Sequence, residues 1–154
     1  MTTTAHTGAC PSGDERVMLV GLLFETNARL SRALGAELEE SCDLPLPWFD
    51  VLLQLRRADE GHLTMSQLAD ATVHSTGGTT RLIDRIEAAG LVARQSCPTD
   101  RRAVHVAITV QGNEKLNEAL EAHLVHLECR VADRLTKSER ATLTELLTKL
   151  KGDD

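Results

Sequence analysis

Residues 61–109 read GHLTMSQLADATVHSTGGTTRLIDRIEAAGLVARQSCPTDRRAVHVAIT, and the reading of this stretch decides the rest. Thr64-x-x-Gln67 is a capping-box pattern that opens a short helix, in which Leu68, Ala69 and Val73 are the expected buried residues. Ser75 is a good N-cap for a second, longer helix reaching Ala89, and Gly90 supplies the left-handed residue that ends it. Leu91-Val92-Ala93 and Ala103 to Ile108 are strand candidates flanking the tip Pro98-Thr99-Asp100-Arg101-Arg102. Val104, Val106 and Ile108 alternate onto one face of the second strand.

At 100° per residue, the longer helix sorts into two faces. Leu82, Ile83 and Ile86 cluster inward, with Thr79 close to them. Gly77, Thr80, Arg81 and Asp84 face outward, with Thr76 on the flank. Adjacent glycines inside a helix cost about 1–2 kcal/mol relative to alanine, which argues for a close approach by something outside. Small hydroxyl residues, a glycine and an arginine suit a helix that approaches base edges, because a guanidinium can chelate guanine O6 and N7. Helix, turn, helix and a hairpin with a basic tip make a winged helix-turn-helix, a layout that places one helix in the DNA major groove. Arg101 and Arg102 would project from the wing towards a minor groove or a phosphate. Asp100 repels phosphate, and its simplest role is to orient an arginine.

The chain of 154 residues is long enough for one domain with a real core. Its net charge is −6, which by itself argues against nucleic acid. Residues 75–102, however, balance at +2, with arginines 81, 85, 94, 101 and 102 against Asp84, Glu87 and Asp100, so the remainder carries −8. An acidic body with a locally basic head implies a small, well-aimed DNA contact. Four scattered cysteines, Cys10, Cys42, Cys97 and Cys129, form neither a disulfide framework nor a zinc motif. The polar N-terminus lacks a signal-peptide pattern and no apolar run is long enough to span a bilayer, so the expected location is cytoplasmic, away from membranes. No nucleophile–base motif, P-loop or dinucleotide fingerprint is present. The expectation is therefore a non-enzyme with no catalytic residues, no metal and no cofactor.

Outside the central stretch, residues 1–13 read as a disordered arm and residues 14–46 as a long helix and loop. The long helix, about Asp14 to Glu40, carries the stripe Val20, Leu23, Phe24, Leu30, Leu34 and Leu38, with Asn27 and Ser31 along the same side. A helix from Pro47 to Ala58 buries Val51, Leu52 and Leu55 and opens the 47–109 DNA-binding lobe. Trp48 fits its apolar face, while Asp50, Gln54 and Arg57 fall on the other side. Residues 110–151 hold two more helices, about Val110 to Arg134 and Thr136 to Lys151, each apolar along one side. The fold class expected is mainly α with a small β-hairpin wing, the winged helix-turn-helix being flanked by long terminal helices that pack against a second copy. DNA readers of this kind present paired recognition helices about one helical turn apart.

Several segments in order resemble the MarR family of transcriptional regulators: Leu68-Ala69, Thr80 to Glu87 followed by Gly90-Leu91-Val92, the wing Asp100-Arg101-Arg102, and Val106-x-Ile108-Thr109-x-x-Gly112. The resemblance covers nearly everything after the N-terminal arm. It implies a homodimer whose first, fifth and sixth helices form the interface. It implies binding to a pseudo-palindromic double-stranded DNA operator, usually as a repressor released by a small ligand, aromatic or phenolic in many members. Carried over residue by residue, it assigns DNA contacts to Ser75, Thr76, Gly77, Thr80, Arg81, Arg101 and Arg102. Asp84 and Asp100 match positions that hold arginines in place, and Asn27, Ser31, Trp48, Phe49 and Asp50 fall where effectors bind. The peroxide-sensing branch uses a cysteine near the start of the first helix activated by tyrosines, but Cys10 lies earlier and the chain has no tyrosine. The zinc-responsive branch points to Cys42, His123 and His126, of which the histidines read more simply as a core-edge and a surface residue. The urate-responsive branch is matched at Asp50 but lacks its first-helix tryptophan. Alternatives are a redox- or zinc-responsive regulator of the same fold, or an interaction protein that does not bind DNA.

Overall fold

The computed structural model describes residues 13–72, 76–96 and 104–152, with the side chains of Thr76 and Gly77 also outside the described set. Helix α1 (Glu15–Cys42) starts at Asp14, whose carboxylate accepts from the Arg16 N–H. It runs two residues beyond the expected end, so Ser41 and Cys42 are helical, and Asp43 closes it in the left-handed conformation. Helix α2 (Leu46–Arg57) follows from Pro45, with a proline in its first turn, where the missing N–H is no loss. Strand β1 (His62–Thr64) leads into α3 (Met65–Ala71), and both halves of the Thr64–Gln67 capping box form. Helix α4 (Thr76–Ala88), β2 (Val92–Ser96) and β3 (Val104–Ile108) complete the lobe. Ser75 and Val73, the expected cap and buried residue, lie outside the described residues, as do Cys10, Cys97, Asp100, Arg101 and Arg102.

The expected hairpin is part of a three-stranded antiparallel sheet of order β1-β3-β2. His62-Leu63 carries no strand pattern in the sequence. Three residues are too few for a periodic signal, and only the pairing of Leu63 with Val106 makes them a strand. Val106 is fully buried, whereas Val104 is 41% exposed, so the strand turns one face inward only at its lower end.

The core lies where α2 meets α1, α4, the sheet and α5 (Val110–Leu127). Val51, Leu52 and Leu55 of α2 are buried against Leu38, Leu68, Ile83, Ile86, Val106 and Leu116. Gly112 on α5 is enclosed, because a Cβ there would lie 2.0 Å from the Leu91 carbonyl oxygen. The fifth helix is not one α-helix to Arg134. It passes at Glu128–Ala132 into a π-helical turn, where the Asp133 N–H donates to the Glu128 carbonyl at 2.9 Å. A π turn adds one residue to a helical turn, and the spacing of four between Leu127, Val131 and Leu135 fits either an α or a widened turn, so the sequence showed no break. Helix α6 (Lys137–Lys151) opens on the Thr136–Glu139 capping box and buries no residue in the single chain. No described helix is long and apolar enough to cross a membrane.

Candidate nucleic-acid interface

Capped α3 and longer α4 are packed against each other, and α4 turns Thr79, Leu82, Ile83 and Ile86 into the core. This leaves Thr80, Arg81, Asp84 and Arg85 exposed on its outer side. Among the described residues, neither Arg81 nor Arg85 forms an ion pair, so both guanidinium groups face solvent. Thr76 and Gly77 open the same helix, and Ser75 immediately precedes it.

The helix is tied to the wing by one side chain. Arg94 on β2 donates through Nη2 to Asp84 Oδ1 at 2.6 Å and through Nη1 to Glu87 Oε2. Its backbone N–H donates to Glu87 Oε1 at 2.9 Å. That backbone bond, with the guanidinium, holds the Glu87 carboxyl below its ordinary range against the opposing effect of burial. Burial works against the Arg94 charge too, but the bonds to Asp84 and Glu87 outweigh it and raise its pKa. Asp84, on the outward face, thus points its carboxylate to the wing strand. Glu87 and Arg94 were not singled out from the sequence. A carboxylate and an arginine seven residues apart, across a helix end and a turn, carry no recognisable spacing. The helix itself ends at Ala88, and Gly90, with φ +78, turns the chain so that the Leu91 N–H returns to the Ile86 carbonyl.

The effector-pocket candidates are dispersed. Trp48 is half-buried and borders a cleft of about 650 Å³ formed with Asp43, Leu44, Leu91, Gln111 and Glu114. Phe49 is 2% exposed and packs its ring on His123 at 4.8 Å, inside the core. Asn27 and Asp50 are exposed and Ser31 is half-buried, and none of these three lines that cleft.

The remaining chemistry-bearing residues sit in separate settings. Buried Cys42 directs its thiol to the Glu118 carbonyl, 3.9 Å away, while Cys129 is exposed. Burial holds the His123 imidazole below its ordinary pKa, and its Nδ1 has no hydrogen-bond partner among the described residues. His126 lies 3.5 Å from Glu37, which is gripped by Arg130 from the π turn. Cys42, His123 and His126 do not converge on a common point. Among the described residues, no group of three or more His, Cys, Asp or Glu side chains is placed to hold a metal ion.

Comparison with known proteins agrees with this geometry. The chain is 32% identical over 120 residues to an HTH-type transcriptional regulator of Bacillus cereus, covering 78% of each. A MarR-family sequence model matches residues 43–103. The chain belongs to the MarR family. Among solved structures of MarR-family regulators, a single-site variant of MarR from E. coli complexed with operator DNA superposes with a TM-score of 0.79. It is 28% identical and covers 92% of this chain and 99% of its own. Sco3205 of Streptomyces coelicolor, also in complex with DNA, gives a TM-score of 0.76 at 25% identity, over 87% of this chain and 85% of its own. This MarR-family protein is a DNA-binding transcriptional regulator with a winged helix-turn-helix fold.

Proposed function

We propose that this regulator is a homodimeric repressor that binds a pseudo-palindromic operator and is released from it by a small organic ligand. The observation that carries the dimer is the apolar surface left on the terminal helices. On α1, Val17, Met18, Leu19, Leu22 and Phe24 are more than half exposed, and on α6 so are Leu146 and Leu150. A monomer exposing such a run would aggregate, and a second copy would cover it. These helices correspond to the 14–46 and 110–151 segments read as dimerisation regions, on either side of the 47–109 lobe.

In this reading Ser75, Thr76, Gly77, Thr80 and Arg81 meet the major groove, and Arg101 and Arg102 reach from the wing. Arg81, exposed and without an ion-pair partner among the described residues, is the main long side chain on that face. Asp84, and Asp100 at the wing, serve to orient arginines rather than to touch DNA. The cleft beside Trp48, between the α1–α2 junction and the end of α4, is of a size that suits a small aromatic or phenolic ligand. Asn27, Ser31, Phe49 and Asp50 remain candidates for an effector site that a second copy would complete.

An electrophoretic shift with DNA from upstream of the regulator's own gene tests this reading, alongside sedimentation equilibrium. A shifted complex of two chains per operator supports it; no shift at low salt overturns it. Repeating the shift with phenolic acids, with an oxidant and with zinc distinguishes an organic effector from redox or metal control.

A further inference from the structure

We propose that Arg56 is a positioning residue that sets the angle between the DNA-reading lobe and α5, and with it the half-site spacing the dimer accepts. The inference rests on the dimeric reading above.

Arg56 lies in the last turn of α2 and reaches across to the first turns of α5. Its Nε and Nη2 donate to one oxygen, Asn113 Oδ1, at 3.1 and 2.9 Å. Nη2 also donates to the Asn113 backbone carbonyl at 2.8 Å, and Nη1 to Asn117 Oδ1 at 2.6 Å. The Asn113 amide nitrogen donates to the Thr109 carbonyl at 3.1 Å, so only one orientation of that amide satisfies both neighbours. Thr109 extends the chain of bonds to the recognition helix. Its hydroxyl donates to the Gly90 carbonyl at 2.7 Å and its backbone N–H to Leu91 at 3.1 Å. The helix that reads DNA, the helix behind it and α5 are therefore linked through Thr109, Asn113 and Arg56.

The chemistry of the contact suits alignment rather than simple attraction. Among the described residues, no carboxylate lies within ion-pair distance of Arg56. Its partners are neutral oxygens on two successive turns of α5. A carboxylate would attract a cation from many directions, whereas a planar fork spread over three separate acceptors fixes orientation. The 18 residues of α5 span about 27 Å. A tilt of about 7° at its start would move its far end by about 3 Å, close to one base-pair rise. The far end of α5 runs into the segments proposed to form the dimer, so such a tilt would alter the separation of the two recognition helices.

The test is a binding series on paired half-sites, selected from a random pool, whose spacer is shortened or lengthened by one base pair. The variants are Arg56→Lys, which keeps the charge but loses the fork, and Asn117→Ala, which removes one acceptor. Wild-type protein is expected to prefer one spacing. Discrimination against the shifted spacers should fall about tenfold in Arg56→Lys and by less in Asn117→Ala, with single half-site binding unchanged. An unaltered spacing profile with uniformly weaker binding would make Arg56 a structural residue only and overturn the proposal. Should Arg56→Lys fail to fold, Asn117→Ala on the exposed side of α5 decides by the same criterion. A wild-type protein indifferent to spacing would overturn the dimeric reading as well.

Discussion

At Gly112 there is no space for even one methyl group. A Cβ there would stand 2.0 Å from the Leu91 carbonyl oxygen and 2.9 Å from the Ile108 side chain. The oxygen belongs to the backbone turn behind the recognition helix, so a side chain at 112 would have to push α5 off that turn. Gly112→Ala should lower stability by about 3 kcal/mol, at the upper end of overpacking penalties, measured by urea unfolding. A loss below about 0.5 kcal/mol, the size of an ordinary surface change, would show that α5 can shift freely. Arg81 makes the opposite case, since nothing described in the fold needs its guanidinium. Arg81→Ala should leave the unfolding midpoint unchanged and weaken operator binding by about 1–3 kcal/mol, with specificity relaxed at one base position. Uniform weakening across all sequences in a competition gel shift would reassign Arg81 to a phosphate. Arg81 was legible from the sequence because an exposed helix position needs only the 3.6-residue period to place it. Arg56 and Arg94 were not, because each gains its role from residues on another element.

Among the elements, the junction of α1 with the π turn carries the clearest pH dependence. The Arg130 guanidinium holds the Glu37 carboxyl below its ordinary value of 4.5, against the opposing pull of burial, and His126 and His123 add to the lowering. A depressed carboxylate stabilises the fold above its unfolded pKa, and that contribution is lost as pH falls through the folded value. His123 is depressed below 6.5, chiefly by burial, so its neutral form stabilises at higher pH and the benefit declines as pH drops below that value. Acidification should therefore destabilise wild-type protein in two stages, the first starting near 6.5 and the second below 4.5. Denaturant midpoints followed from about pH 8 to about pH 3 should show the second stage reduced in Glu37→Gln, with Glu87 carrying part of what is left, and the first missing in His123→Gln. A wild-type midpoint that is constant over the upper stage would show that His123 is not held neutral. The π turn that delivers Arg130 to Glu37 was invisible in the leucine pattern, which reads equally well through an α or a π turn.

For the molecule as a whole, charge and apolar surface are separated. The chain carries −6 overall, yet residues 75–102 balance at +2 and the remainder carries −8. One copy would hold DNA weakly, as few cations face the phosphates and the acidic body opposes approach. Doubling the head is the remedy proposed above, and the exposed leucines of α6 provide its test. Leu146→Asp with Leu150→Asp should leave the isolated lobe folded, since both side chains are exposed, but should convert a dimer to monomers in sedimentation equilibrium. Operator affinity should fall by at least about tenfold with it, since the second half-site is lost. Retention of a dimer in this double variant would place the interface elsewhere.

The sequence by itself determined the helices, their capping boxes, the inward face of α4 and the MarR-family assignment. The elements depend on short spacings, where a 3.6-residue period, a cap or a left-handed glycine acts locally, and the family assignment on the order of motifs from Leu68 to Gly112. Only the tertiary structure decided that a third strand joins the wing, that Arg94 is locked to Asp84 and Glu87, and that Arg56 ties α2 to α5. The last of these bonds spans 57 to 61 positions in sequence. The geometry of a guanidinium fork depends on where two helices come to rest against one core, and no local period records that.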